Sequence, residues 1–346
     1  MSHDLFVPGR LCLFGEHSDW AGAYRRTHAA LTPGMCLVAG TDQGLRATAA
    51  RADAVELVSR APDGTRHGPV RLPASVDDLD RAARTGDFFS YAAGVAAEVV
   101  ARFATGGVRV EVVANDLPMA KGLSSSAAIC VLVARAFDAA YGLGLSVREQ
   151  MEIAYHGERR TGSQCGLMDQ VCAYGRATTC LAFDGDRFDV VPVAVGAPIH
   201  LLVVDLARAK DTRRILADLH ACFPDTPGPV AANVREALGP LNAAITKAAR
   251  EALAQGDAAT LGALMDDAQD VFDHMVAPAC PELRAPRLHE VLAHPAVRAL
   301  GHGGKGVGSQ GDGCAQLVTR GPAERDRLAE TLARAFGVAC LPLTVA

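Results

Sequence analysis

The spacing of apolar and polar positions changes repeatedly along this 346-residue chain. Short apolar runs at Arg10–Phe14, Met35–Ala39, Leu45–Ala49 and Val55–Val58 are separated by Gly, Pro and Asp, which predicts strands of antiparallel ribbons. From Phe88 to Phe103 small and apolar residues recur on a broad face, the period of a helix. "VRVEVVA", Val108 to Ala114, reads as a strand. Leu123 to Tyr141 reads as a long helix, apolar nearly all round and therefore buried. The next helix starts at Ser146, where Ser146 and Glu149 form a capping-box pattern, and runs towards Arg160.

Strands follow at 178–183, 188–193 and 200–206, and then the pattern changes. Helical segments are expected at 211–222, 230–255, 257–276 and 283–294. A Gly-rich loop from Gly301 to Gly313, a strand at 315–318, a helix at 322–336 and a strand at 338–344 complete the chain. Strands and helices are mixed rather than alternating, which favours an α+β fold. The change of pattern predicts two domains, 1–195 and 196–346.

Composition narrows the function. Hydrophobic residues make up 49% and charged residues 21%, the profile of a globular chain. A net charge of −5 implies no nucleic-acid surface, yet leaves room for a local anion site. The ten cysteines include no CxxC pair and several sit in apolar runs, which predicts reduced, buried thiols rather than a zinc site. "MSHDLFVPGR" lacks the basic and apolar regions of a signal peptide, and no apolar run approaches a membrane span; a cytoplasmic chain is expected.

The most informative stretch is "PMAKGLSSSAAICVLVARAF", Pro118 to Phe137. Gly122 permits close approach of a ligand to the backbone. The serines then fall at the start of a long helix, where unpaired N–H groups and the helix dipole favour phosphate. Hydroxyls of Ser124, Ser125 and Ser126 can bond an anion or ligate Mg²⁺, and Lys121 can add a positive charge. A plain N-cap needs only one serine, and that reading stays open here. The spacing is not that of a P-loop.

It does resemble the motif Pro-x-x-x-Gly-Leu-(Ser/Gly)-Ser-Ser-Ala of the GHMP kinases, which would place Lys121, Gly122, Leu123, Ser124, Ser125, Ser126 and Ala127 at the ATP phosphates. Ala120 and Lys121 stand where relatives usually have glycines. Two more stretches carry the same resemblance in the same order. "PGRLCLFGEHSDWAG", Pro8 to Gly22, is similar to the first motif in its galactokinase form. It presents Glu16, His17 and Asp19 within four residues, a set suited to the hydroxyls of a polyol. Trp20 stands where Tyr is usual and either stacks on a sugar face or packs. "GGKGVGSQGDGCAQLV", Gly303 to Val318, resembles the third, Gly-rich motif, interrupted by Ser309, Gln310 and Asp312.

"CGLMDQ", Cys165 to Gln170, resembles the galactokinase "CGIMDQ". The resemblance implies that Asp169 meets the attacking hydroxyl, with Arg10 beside it and Gly166 at the substrate. A carboxylate there accepts the proton or orients the nucleophile, and a nearby guanidinium keeps it ionised. Glu158 lies eleven residues before Asp169, a mevalonate-kinase spacing, and the resemblance makes it a Mg²⁺ ligand with Ser126. A solvated helix-end carboxylate paired with Arg159 or Arg160 is the open alternative. "KDTRR", Lys210 to Arg214, either meets the substrate or forms an exposed first helical turn.

The resemblance further implies a ribosomal-protein-S5-like N-terminal domain, a ferredoxin-like C-terminal domain and an ATP- and Mg²⁺-dependent kinase. The expected acceptor is a sugar, at its anomeric hydroxyl. A mevalonate-kinase-like enzyme and a catalytically silent ligand sensor are the alternatives.

Overall fold

The computed structural model describes residues 2–61, 63–117 and 123–346. It falls into two compact units, residues 1–10 with 40–176, and residues 11–39 with 177–346. Strand β1 (His3–Phe14) and strand β2 (Gly34–Ala52) each begin in one unit and end in the other; helix α1 (Ser18–Ala23) lies between them in sequence.

In the first unit, β3 (Ala54–Arg60) pairs antiparallel with β4 (Arg66–Pro73). The chain then forms α2 (Val76–Ala83) and α3 (Ser90–Phe103) before β5 (Gly107–Asn115) returns parallel to β3 and antiparallel to β2. Helices α4 (Ser125–Tyr141) and α5 (Val147–Arg159) follow, and α3, α4 and α5 pack on one another. The composition of α3, "SYAAGVAAEVVARF", allows this close stack. A Cβ on Gly94 would strike the Gly157 carbonyl, and one on Gly157 would lie 2.5 Å from the Val95 Cα. The α3 and α5 backbones therefore touch at these two glycines. Fully buried Leu132, Val133, Met151 and Val99 fill the surrounding core, each contributing about 2 kcal/mol of apolar burial. The Ser146–Glu149 capping box forms as expected and starts α5.

In the second unit, β6 (Thr178–Asp184) pairs with the first part of β2 and with β7 (Arg187–Pro192). Next come β8 (Ile199–Asp205), α6 (Thr212–His220), α7 (Pro229–Glu236), α8 (Asn242–Gln255) and α9 (Ala258–Val271). Helices α10 (Pro286–Leu292) and α11 (Pro295–Leu300) lead to β9 (Gly301–Gly306), β10 (Cys314–Thr319), α12 (Pro322–Phe336) and β11 (Ala339–Val345). The strands form an antiparallel sheet in the order β11-β8-β10-β9. Leu202, Val204, Leu317, Leu328 and Leu332 form one core of this unit, and Ile215, Leu219, Phe223, Val234 and Phe272 form another.

The α+β architecture agrees with the mixed order of elements in the sequence, and three expectations change. The helix expected at 230–255 is interrupted by a π-helical turn, Ala237–Leu241, around Pro240, which has no amide hydrogen to continue the α pattern. The helix expected at 257–276 ends in a second π turn, Phe272–Val276. The first part of the expected Gly301–Gly313 loop is strand β9. Its glycines admit close neighbours, since a Cβ on Gly303 would strike the Gly262 carbonyl of α9 and one on Gly304 the Leu317 side chain. Strand β4 and helix α2 were not anticipated: the Pro, Gly and Arg residues of "RHGPVRLP" hide its alternation.

Candidate active site

In the first unit the backbone N–H of Arg10, near the middle of β1, donates to the Leu123 carbonyl at 3.2 Å. The Arg10 side chain is buried and its Nη2 pairs with Oδ1 of Asp169, whose side chain is 28% exposed. Asp169 lies in a 3₁₀ run, Leu167–Tyr174, entered through the extended Gly166. Arg135 of α4 braces this run. It donates to the Ala173 carbonyl, to the Phe6 carbonyl at 2.9 Å and to Gln150 Oε1 at 3.0 Å. A carboxylate that remains partly accessible is thus held by a buried guanidinium on a fixed turn.

Helix α4 begins beside this pair, because Leu123 and Ala127 are both buried and fix its first turn. Ser124 occupies the N-cap position with φ 51°, and its side chain makes no capping hydrogen bond. The plain-cap reading therefore does not describe Ser124. Ser124, Ser125 and Ser126 stay partly exposed at the positive end of a 17-residue helix. Lys121 and Gly122, also expected at the phosphates, lie outside the described residues.

Glu158, near the end of α5, is 2% exposed. Its carboxylate accepts from Gln170 Nε2 at 2.8 Å, from the Cys130 thiol at 3.8 Å and from the Ser126 hydroxyl. Burial first, and the charge of Asp169 second, push its pKa up to about 7. The solvated alternative for Glu158 does not hold: Arg160 pairs with Asp80 and Glu98, both at 2.8 Å, and Arg159 donates to Tyr155. A buried carboxyl beside a serine hydroxyl suits a hard cation, which would return the carboxyl to its charged form. The Ser126 and Glu158 oxygens thus fit Mg²⁺. The thiols of Cys130, Cys165 and Cys172 are all driven up by burial, so this neighbourhood offers no thiolate nucleophile.

In the second unit, Glu16, His17 and Asp19 sit where β1 turns into α1. Gly15 makes the turn at φ 93°, and a Cβ there would strike the Met35 carbonyl. The Ser18 hydroxyl fastens the turn to the Gly15 and Met35 carbonyls at 2.6 and 2.9 Å. Both ring nitrogens of His17 are engaged. Nδ1 accepts from Trp20 Nε1 at 3.1 Å, so Nε2 carries the hydrogen facing the Ser309 carbonyl at 3.4 Å. Burial, chiefly, lowers the His17 pKa to about 4, consistent with this neutral form. Asp19 stays partly exposed and accepts the Trp20 backbone N–H at 2.9 Å. Trp20 packs, with ring centroids 4.1 Å from His220 and 5.2 Å from Phe223.

Glu16 brings a residue the motifs did not single out. Lys305, 1% exposed on β9, places its Nζ on Glu16 Oε1 and on the Gly306 carbonyl at 3.1 Å. The signal was a single lysine inside "GHGGKG", a strand otherwise made of glycines and one histidine. Asp312 accepts the Leu288 N–H at 3.1 Å and so holds the start of α10. Asp211 caps α6, accepting the Arg214 N–H at 3.0 Å, so Asp211 to Arg214 form an exposed first helical turn, whereas half-buried Lys210 precedes the helix and lies against Gly313, close enough to act on His17 by its charge. Arg25 and Arg26 pair with Asp184 and Asp186.

Residues 90–176 match the model of the GHMP kinases N terminal domain. A galactokinase of Roseiflexus sp. (strain RS-1) is 28% identical over 296 residues, 75% of this chain and 70% of that protein. Matches to other bacterial galactokinases span about half the length of those proteins. The fold is similar to Lactococcus lactis galactokinase complexed with galactose, with a TM-score of 0.74 and 19% identity over 99% of this chain and 92% of that one. It is equally similar to Methanococcus jannaschii mevalonate kinase, with a TM-score of 0.73 and 15% identity over 100% of this chain and 99% of that one.

Proposed function

We propose, for a chain that belongs to the GHMP kinase superfamily, that it transfers the γ-phosphoryl group of ATP to a hydroxyl of a sugar, at the anomeric carbon, in the cytoplasm. The observation that carries this reading is the Arg10–Asp169 pair, a partly accessible carboxylate fixed by a buried guanidinium on a braced turn.

In this reading the Asp169 carboxylate accepts the proton of the acceptor hydroxyl while that oxygen bonds to the γ-phosphorus. The bond from the γ-phosphorus to its bridging oxygen breaks, and ADP leaves. Arg10 orients Asp169 and offers positive charge to the transferred group. Leu123 and Ala127 fix the helix end, and Ser124, Ser125, Ser126 and the Lys121–Gly122 segment hold phosphate oxygens through hydroxyl and backbone donors. Mg²⁺, held by Ser126 and Glu158, would screen the phosphate charge. Glu16, Asp19 and Gly166 meet the sugar, with His17 setting the position of the Ser309 carbonyl. The work is positioning and electrostatics, as phosphoryl transfer requires.

The eleven-residue spacing from Glu158 to Asp169 favours a second reading, phosphorylation of a branched acid alcohol such as mevalonate. One panel separates the two: ADP release with ATP, Mg²⁺ and a set of neutral, acidic and amino sugars, with mevalonate alongside. Sugar-dependent ADP release that falls about 10²–10⁴-fold in Asp169→Asn supports the first reading. Turnover of mevalonate alone replaces it with the second. ATP binding without turnover of any acceptor makes the chain a ligand sensor.

A further inference from the structure

The Glu16–Lys305 pair lies wholly within the second unit, and both of its partners are buried. Both are also fixed from behind. On the lysine side, β9 is the edge strand of its sheet. Its Gly304 N–H donates to Asp266 Oδ1 at 2.8 Å and its Gly306 N–H to Gln269 Oε1 at 2.7 Å, which holds the strand on α9. On the glutamate side, Gln316 of β10 is the register partner of Lys305. Its Nε2 donates to the Cys12 carbonyl at 2.9 Å and fixes β1 shortly before the Gly15 turn that presents Glu16. Neither partner can swing away without breaking these ties.

Stability alone does not explain the pair. Two apolar side chains of the same volume would hold β1 on β9 as well or better, because burying two charges is costly. The location suggests another reason. Glu16 belongs to the turn that carries His17 and Asp19. Lys305 engages its Oε1, whereas Oε2 accepts no hydrogen bond from the described residues and is not sealed from solvent. That oxygen is open to an acceptor hydroxyl, which donates to it. Charge near the turn is balanced. The carboxylates are Glu16 and Asp19, and the lysines within charge reach of the neutral His17 are Lys305 and Lys210. Removal of Lys305 leaves the carboxylates in excess and Glu16 without its counter-charge. Such a site would draw a cationic group of the acceptor, which the Lys305 ammonium repels. Specificity comes from a repulsive element as much as from an attractive one.

We propose that Lys305 is a positioning residue that sets the choice of acceptor: by pairing with Glu16 it limits that carboxylate to accepting from a hydroxyl, and so favours a neutral sugar over an amino sugar. The inference rests on the sugar-kinase reading and narrows its substrate class.

The test compares kcat/KM for galactose and glucose with that for galactosamine and glucosamine. ADP release by the full chain is measured at about pH 6.5, where the sugar amines are protonated. Wild type is expected to favour the neutral member of the pair it turns over by about tenfold or more, since juxtaposed like charges are costly. Lys305→Met is expected to raise the amino-to-neutral ratio about tenfold or more while the KM for ATP stays within about twofold. Lys305→Gln, which drops the charge and keeps a donor for Glu16, does the same should Lys305→Met fail to fold. Adding Glu16→Gln to either variant is expected to return the ratio to the wild-type value or below. A merely structural role would lower turnover of both sugars in parallel and leave their ratio unchanged. That result overturns the proposal, as does a rise that survives Glu16→Gln or a wild type that favours the amino sugar. All three leave the kinase reading intact. Absence of turnover with every sugar defeats the sugar-kinase reading itself, and this proposal with it.

Discussion

Glu158→Gln is the most direct probe of the first unit's chemistry. The Glu158 carboxyl stands near pH 7 in the folded chain, raised from 4.5 mainly by burial. Between those values the folded state holds a proton that the unfolded state has released. Stability from this group is therefore fully present below about pH 4.5 and is lost as pH rises through about 7. From pH 5 to pH 8 the loss is on the order of 2–3 kcal/mol. Glutamine keeps the shape and does not titrate, so wild type minus variant isolates the effect. The assay is equilibrium unfolding by denaturant, followed by far-UV circular dichroism at several pH values across that range. The wild-type unfolding free energy should fall relative to the variant's as pH rises. The same carboxyl links protons to metal. If Mg²⁺ with nucleotide binds the ionised form, wild type should release more protons than the variant below about pH 7, and the excess should shrink towards zero as pH rises above it. Titration calorimetry in buffers of different ionisation enthalpy measures this. Parallel stability profiles, together with equal proton release, would refute both the burial argument and the metal assignment.

Other substitutions test other links. Gly157→Ala gains about 1 kcal/mol of helix propensity, but its methyl meets the Val95 backbone at 2.5 Å, so strain wins and the melting temperature should fall by about 2–5 °C. The same change should lower kcat by displacing Glu158, its neighbour in sequence. Ser124→Ala removes no capping bond, so stability should stay within about 0.5 kcal/mol while the KM for ATP rises. Ser126→Ala should instead raise the Mg²⁺ concentration for half-maximal activity about tenfold or more, read by metal titration of ADP release.

Much of this was legible in the sequence because short-range signals carried it. The serines announced a helix start, and the capping box at Ser146 set the start of α5, whose far end carries Glu158. Illegible features depend on packing between distant segments. Gly303 and Gly304 read as loop because glycine usually marks turns, whereas here they let α9 and Leu317 approach a strand. Lys305 escaped notice because a charge signals solvent until a partner such as Glu16, distant in sequence, is known. Arg135 reads as one of two charged residues on a largely apolar helix, and its role emerges only when the Phe6, Gln150 and Ala173 oxygens converge on it. Glu158 shows a motif and its physics arriving separately. Spacing suggested a metal ligand, and only burial explains why its carboxyl would take up and give up a proton near neutrality.

The placement of Trp20 gives the molecule an optical handle. The chain has a single indole beside five tyrosines, so indole emission, excited selectively over tyrosine, comes from one place. That indole lies against the His220 ring, and its N–H is tied to His17 beside Glu16 and Asp19. Imidazole in contact with indole is a quencher when protonated, and burial lowers the His220 pKa, so the emission should be steady through neutral pH. Fluorescence therefore watches the first-motif turn alone, without a label, while the serine-rich helix start contributes no indole signal of its own.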